Sequence, residues 1–366
     1  MTNFQMPVYK APDFGSAILQ HAPEVKVEEA PEDGVAPENY HATTIFPEYF
    51  RLNNRWILAG ESRMDCVAVA EGKDMISVKE FRNLKKGDLV ILGRTERGEE
   101  GIYVHTDGFG GGTEQRESFA FRMNRSRETA YSRDYDQMYQ LLNYERDNGN
   151  ILWVLGPACS FDSDARSAMS SLIEKGYVHG LMAGNALATH DLEGGLLRTA
   201  LGQDIYTQQP LPNGHYHHID VINKVRRCGG IPTFIEKYKI HDGIMHACVK
   251  NEIPFVLTGS IRDDGPLPEV YADVYEGQNA MRDLVRQATT VVCLATQLHT
   301  IATGNMTPSF RVKDGKVRPV FFYTVDISEF AVNKLKDRGS FWVTSFIANA
   351  QDFLVNVVRG IDKVEG

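Results

Sequence analysis

Ile151-Leu152-Trp153-Val154-Leu155, followed at once by Gly156-Pro157-Ala158, decides the fold class. An unbroken apolar run ended by a turn fits a strand buried on both faces of a parallel sheet. A half-exposed strand would instead alternate apolar and polar residues. Similar runs recur downstream at 180–184, 254–259, 290–295 and 320–326. Between and after them lie helix-like stretches at 164–175, 219–227, 279–287 and 328–336. Strand, polar turn and helix in alternation predict a doubly wound, Rossmann-like α/β domain over residues 150–366.

Upstream the texture differs. Residues 125–147 are polar and read as a helical bridge, giving a helical linker over 121–149. Residues 41–108 carry short strand-like runs, Arg55-Trp56-Ile57-Leu58 among them, and predict a small β-rich barrel or sandwich over 41–120. Gly108 to Thr113 is a glycine cluster, read either as a flexible exit from that domain or as a phosphate cradle. Residues 1–40, rich in Pro, Glu and Asp, read as a mobile or strap-like N-terminal arm.

The bulk numbers set bounds. A chain of 366 residues is long for one domain. A formal charge of -9 argues against general binding to nucleic acid. No apolar run approaches the roughly 20 residues that span a bilayer, and no secretory signal is visible, so a cytoplasmic protein with no membrane partner is expected. The five cysteines are scattered, which disfavours a disulfide framework or a thiolate metal site. The run His215-Tyr216-His217-His218 lacks a matching ligand at diagnostic spacing, and no metal site is expected.

In open α/β sheets ligands bind at the carboxyl ends of the strands. The candidates are therefore the residues after each apolar run: Cys159 and Ser160; Asn185 and Ala186 with His190 and Asp191; Arg262, Asp263 and Asp264; Thr296, Gln297, Leu298 and His299, then Gly304-Asn305-Met306; and Asp326. No strict G-x-G-x-x-G follows any strand, so a dinucleotide does not follow from the pattern alone. Asp326 can accept ribose hydroxyls or cap the helix expected from Ser328. Asp263 and Asp264 can receive an ammonium, act as a base, or close a turn. His190 and His299 can shuttle protons or serve only structure. Cys159 is a small buried turn residue or a thiol activated at a helix start.

Together these strings resemble the archaeal-type ornithine cyclodeaminase family, also found as the C-terminal part of bifunctional arginine dihydrolase/ornithine cyclodeaminase enzymes and labelled a lysine-oxoglutarate reductase/saccharopine dehydrogenase-like region. The carrying pieces include Met64-Asp65-Cys66, Ala183-Gly184-Asn185-Ala186-Leu187-Ala188, Ser260-Ile261-Arg262-Asp263-Asp264-Gly265-Pro266-Leu267-Pro268, Gly304-Asn305-Met306 and Asp337-Arg338-Gly339. The resemblance covers about residues 42–355, and the 260–268 string is its most specific part.

The resemblance implies a deoxyhypusine synthase-like NAD-binding domain behind a small β-domain. The cofactor pocket would comprise Asn185, Ala186, Asp264, Thr296, Gln297, Leu298 and His299, with Asp326 on the ribose and Asn349 and Ala350 closing it. It further implies deaminating cyclisation of ornithine to proline and ammonia, linking arginine catabolism to proline biosynthesis. NAD would take a hydride from Cα and return it after ring closure, which gains from proximity. Asp263 or Asp264 would bind or deprotonate an amine, His190 or His299 would move protons, and Arg262 would clamp the carboxylate.

A homo-oligomer with an amino-acid substrate is expected. With no dihydrolase module in the chain, guanidine hydrolysis is not expected. Departures from the family pattern fall at Cys159-Ser160-Phe161-Asp162, at 345–349, and at a basic hairpin-like insertion over 311–319. Other readings stay open: another NAD-dependent amino-acid dehydrogenase, a polyamine-type transferase, or a non-catalytic NAD or amino-acid sensor.

Overall fold

A computed structural model describes residues 4–109, 132–263, 265–328 and 342–365. Its N-terminal unit holds β1 (Lys26–Glu29), β2 (Glu48–Leu52), β3 (Arg55–Leu58), β4 (Val67–Glu71), β5 (Met75–Lys79), β6 (Leu89–Leu92) and β7 (Ile102–Val104). They form two antiparallel sheets, ordered β1-β6-β4-β5 and β3-β2-β7. Phe50 and Ile102 from one sheet meet Ala68, Ile76 and Ile91 from the other in a shared core. Lys26–Glu29, within the stretch read as an arm, pairs with β6.

Helix α1 (Ser132–Asn148) leads into the larger unit. The run 151–155 is β8, followed by α2 (Ser163–Glu174), β9 (Gly180–Gly184), α3 (Asn185–Leu197), and the short pair β10 (Thr199–Ala200) and β11 (Gln203–Asp204). Next come α4 (His217–Cys228), α5 (Ile231–Tyr238), α6 (Ile244–Lys250), β12 (Phe255–Thr258), β13 (Val270–Tyr271), α7 (Val274–Val285), β14 (Thr290–Leu294) and α8 (Gln297–Met306). The hairpin β15 (Phe310–Lys313) and β16 (Lys316–Pro319), then β17 (Phe321–Asp326), β18 (Val343–Ile347) and α9 (Ala350–Glu365) complete it.

Seven strands form one sheet in the order β13-β12-β9-β8-β14-β17-β18, and every neighbouring pair is parallel. Leaving aside the edge strand β13, this is the 3-2-1-4-5-6 order of a Rossmann fold, with its reversal between β8 and β14. Burial on both faces explains the continuous apolar runs. Leu152, Val154, Met182, Val291 and Cys293 pack toward Met281 and Val285 of α7. Trp153, Leu155, Leu181, Val292 and Leu294 pack toward Met138 and Leu142 of α1, Met169 and Leu172 of α2, and Phe353 of α9. Each such side chain contributes roughly 1.5–3 kcal/mol on burial.

The two units are joined by charge and by an N-terminal strap. Half-buried Glu80 receives buried Arg63 from its own unit and buried Arg282 of α7, the latter at 2.5 Å. Phe4 packs on Tyr144 of α1 and on Phe321 of β17. Further along the strap, Tyr9 meets Tyr49 with their hydroxyls 2.9 Å apart, and Phe14 stacks on Trp56. The 311–319 insertion is an antiparallel hairpin. It does more than lengthen a loop. Arg311 donates to the Val285 and Ala288 carbonyls at the end of α7, and Lys313 to the Asn148 carbonyl at the end of α1. Cations at helix C-termini satisfy orphan carbonyls and complement the dipole. Arg318 pairs at 2.6 Å with Glu145, which is fully buried.

Register aligns the carboxyl ends. Leu257, Ala183, Leu155, Leu294, Val325 and Phe346 sit in one row across six strands. One residue further on, the row becomes Thr258, Gly184, Gly156, Ala295, Asp326 and Ile347. Gly156 is there because a Cβ would overlap the Ala295 carbonyl. Gly156→Ala is therefore expected to lower stability by about 1–3 kcal/mol, as overpacking does. Gly60→Ala, at a position with open space around it, should change it by less than about 1 kcal/mol. Urea midpoints measure both, and an unshifted Gly156 variant would contradict the close approach.

Candidate active site

All strands of the main sheet run the same way, so every exit in the second row opens on one edge. Four of the expected exits lead into helices or caps rather than loops. Helix α3 starts at Asn185 with no intervening turn, placing His190 and Asp191 inside it. Thr296 is the N-cap residue of α8, which begins at Gln297, so Gly304-Asn305-Met306 ends that helix away from the strand exits. Asn349 caps α9, its Oδ1 accepting from Gln351 N at 2.8 Å and Asp352 N at 3.2 Å, with Ala350 buried beside it. Asp326 Oδ1 accepts from Ser328 N at 2.8 Å. The expected helix beyond Ser328, the 337–339 string, Asp264 and residues 110–131 lie outside the described residues.

One cluster forms over β9 and β12. His299 reaches back across the crevice from α8, and its Nε2 lies 3.0 Å from Thr258 Oγ1. A Cβ on Gly184 would stand 3.1 Å from the His299 ring, so glycine there lets the imidazole lie on the strand end. Burial pushes the His299 imidazole below its ordinary range, against the pull of the Asp263 carboxylate. It is a neutral donor or acceptor at neutral pH. Asp263 Oδ2 accepts from Ser260 N at 2.8 Å, and Ser260 Oγ from Arg262 N at 3.3 Å, so that turn is closed by its own side chains. The Arg262 side chain is exposed. Asn185 is buried, and its Oδ1 accepts from Leu267 N at 3.0 Å, pinning the far end of the same loop to the start of α3.

His190 belongs to a second cluster. It is buried, with Nδ1 3.0 Å from Glu193 Oε2 and its ring edge-on to Phe161 at 5.3 Å between centroids. The His218 ring lies 6.1 Å away. His217 contacts Thr199 Oγ1 at 2.8 Å through Nδ1. No direct contact joins His190 to His299, Arg262 or Asp263 among the described residues. Asp191 faces elsewhere: it pairs with Arg166 at 2.9 Å and accepts from Ile244 N and Met245 N, capping α6. Cys159 is fully buried, and burial pushes its thiol up to about 12. A thiol so protonated is not a nucleophile at neutral pH.

Around the rim stand three exposed apolar side chains: Ile261 after β12, Leu298 at the start of α8 and Ile327 after β17. Gln297 is exposed beside Leu298. Sequence reasoning did not single out Glu193, Thr258 and Phe161, which the structure places against His190 and His299. Thr258 and Phe161 follow apolar runs and were within reach of the strand-exit rule, whereas Glu193 lies deep in a helix and gave no such signal. Among the described residues no helix is long and apolar enough to cross a membrane.

Residues 136–357 match the model of a family described as arginine dihydrolase ArgZ-like, C-terminal, Rossmann fold. An ornithine cyclodeaminase of Methanopyrus kandleri is 37% identical over 358 residues, covering 95% of this chain and 81% of that protein. The crystal structure of a conserved LOR/SDH protein of Methanococcus maripaludis S2 superposes with a TM-score of 0.81 at 32% identity, covering 94% of this chain and all of that one. A ternary complex of AgrE with ornithine and NAD+ matches with a TM-score of 0.56 at 32% identity, over 94% of this chain and 47% of that one.

Removing the Asn185 acceptor leaves the buried Leu267 amide unsatisfied, which costs about 1–3 kcal/mol. Asn185→Ala is thus expected to raise hydrogen exchange at Leu267 by at least tenfold, read by mass spectrometry. Unchanged protection would remove Asn185 as the clamp of the 259–268 loop.

Proposed function

The chain belongs to the archaeal-type ornithine cyclodeaminase family, whose Rossmann-fold unit also ends the ArgZ-like arginine dihydrolases, and on that footing we propose that it binds NAD along the carboxyl edge of its sheet and converts ornithine to proline and ammonia. The observation that carries the reading is the aligned row Thr258, Gly184, Gly156, Ala295 and Asp326, centred on the reversal between β8 and β14. Two glycines in that row keep the floor of the crevice low. Its carboxylate, Asp326, commits one oxygen to Ser328 and keeps the other for a ribose hydroxyl. Such an edge fits a dinucleotide. The relatives' name and the AgrE complex with ornithine and NAD+ support the choice of substrate and cofactor.

In this reading Asn185 and Ala186, Thr296 through His299, and Asn349 with Ala350 wall the nucleotide, with Asp264 joining them from the 259–268 loop. Bound NAD supplies a hydride acceptor for Cα of the substrate and later the hydride donor to the cyclised imine. The protein's own part is to place and deprotonate the substrate. Neutral His299 with Thr258 offers a hydrogen bond without adding charge at the crevice. Asp263, already bonded to Ser260 N, acts through its field on His299 rather than as a free base. Arg262, exposed, suits a substrate carboxylate by its planar fork of donors. His190, with Nε2 unbonded among the described residues, is the proton carrier. Holding both amines of one substrate at one site favours ring closure within the molecule over attack from outside it.

Purified protein incubated with ornithine and NAD+ should release equal amounts of ammonia and proline with no net growth of NADH absorbance. Steady NADH accumulation would replace the reading with an amino-acid dehydrogenase. No turnover of any amino acid, with NAD still bound, would replace it with a sensor. Asp326→Asn should weaken NAD binding about tenfold or more in calorimetry, the loss of a charged acceptor being worth roughly 1.5–3 kcal/mol. An unchanged dissociation constant would remove Asp326 from the ribose.

A further inference from the structure

Glu193 lies fully buried in α3, and each of its oxygens receives two donors. Oε1 accepts from Thr199 Oγ1 at 2.7 Å and Gly202 N at 2.9 Å. Oε2 accepts from Leu201 N at 3.0 Å and contacts His190 Nδ1 at 3.0 Å. Burial by itself would raise its pKa, but the bonds from His190, Gly202 and Thr199 prevail and hold it below the usual carboxylate range. The group is ionised at neutral pH, and an ionised carboxylate only accepts hydrogen bonds.

The hydrogens follow from that constraint. His190 Nδ1 must carry a proton, which leaves Nε2 as the bare, basic nitrogen of the neutral ring. Thr199 has one hydroxyl hydrogen and gives it to Glu193, so its 2.8 Å contact with His217 Nδ1 is donated by His217. One carboxylate thereby sets the tautomer of two imidazoles. His190 Nε2 has no hydrogen bond among the described residues. Beside the His190 ring lie the Phe161 ring and His218, whose Nδ1 is shut off from solvent without a partner among the described residues.

A purely structural carboxylate would be explained by the β10–β11 turn alone. Leu201 and Gly202 both have positive φ, as a two-residue hairpin turn needs, and their amides point at Glu193. The turn leaves the imidazole bond unexplained: His190 is an additional donor that the hairpin does not require.

We propose that Glu193 is a positioning residue for proton transfer, locking His190 in the Nδ1–H tautomer so that Nε2 receives the proton shed by the substrate α-ammonium. This rests on the reading that His190 is the proton carrier. The proton moves from the ammonium nitrogen to Nε2, and the imidazolium formed faces the Glu193 charge. The same proton returns to the amine nitrogen as it departs as ammonia. No electrons pass through the histidine; the hydride acceptor is the nicotinamide nucleotide of the proposed function. Thr199 and His217 extend the lock by one further bond.

The test pairs spectroscopy with kinetics. In protein labelled with 15N-histidine at pH 8, with His190→Gln identifying the signals, His190 should show a protonated Nδ1 and an unprotonated Nε2. A dominant Nε2–H form in the wild type overturns the proposal without any variant having to fold. Glu193→Gln, whose amide can donate as well as accept, should restore a measurable Nε2–H population. It should lower kcat by about 10²-fold or more, within the range of general acid–base catalysis, while KM stays within about threefold. A kcat within threefold of wild type overturns the proposal. If wild-type protein turns over no ornithine yet has the expected tautomer, the substrate assignment fails instead. The kinetic comparison is then made with the amino acid that does reduce NAD+.

Discussion

The approach of two backbones at the sheet's point of reversal constrains everything around it. β8 and β14 lie side by side although most of the α/β unit separates them in sequence, and their exits must diverge within one residue. Gly156 has no side chain because the Ala295 carbonyl occupies the place of one, and Ala295 itself turns with φ of +51°. That tight crossing starts α8 at the angle that carries His299 back over Gly184. A bulkier crossing would lift His299 from Thr258 and fill the floor where a nucleotide is expected to lie.

The strands of the parallel sheet were legible because burial on both faces forces unbroken apolar runs. β8, β9, β12, β14 and β17 fall within a residue of the runs that announce them. Helix α3 was hidden for a physical reason. It is buried on nearly all sides, so it has no polar stripe, and it contains Gly194 and Gly195. Those glycines are there because the Arg166 guanidinium and the Ile240 side chain press on the helix, not because the chain turns. β18 has Thr344 and Ser345 side by side at its middle, which breaks any strand period, and it reads as a loop until it pairs with β17.

The candidate site was legible at the level of the strand exits and illegible within them. Topology alone places Asn185, Thr296, Asp326 and Asn349 at one edge. What each side chain does there depends on its neighbours in space. Asn349 spends its amide oxygen on a helix cap, Asn185 on a loop amide, and Asp263 on its own turn. Glu193 is the opposite case: an acid that reads as surface charge, yet buried, with four donors arriving from its own helix and from the adjoining β10–β11 hairpin. No periodicity or spacing predicts such convergence.

The strap has a bearing on the order in which the molecule assembles. Phe4 rests on Phe321, so its resting place on β17 does not exist until most of the chain has been synthesised. Contacts so distant in sequence form late and slowly. The β-sandwich, whose strands are complete by Val104, can condense and seat Tyr9 and Phe14 while the tip of the strap at Phe4 still swings free. That tip settles only once the parallel sheet has closed, as a latch drawn across a finished box.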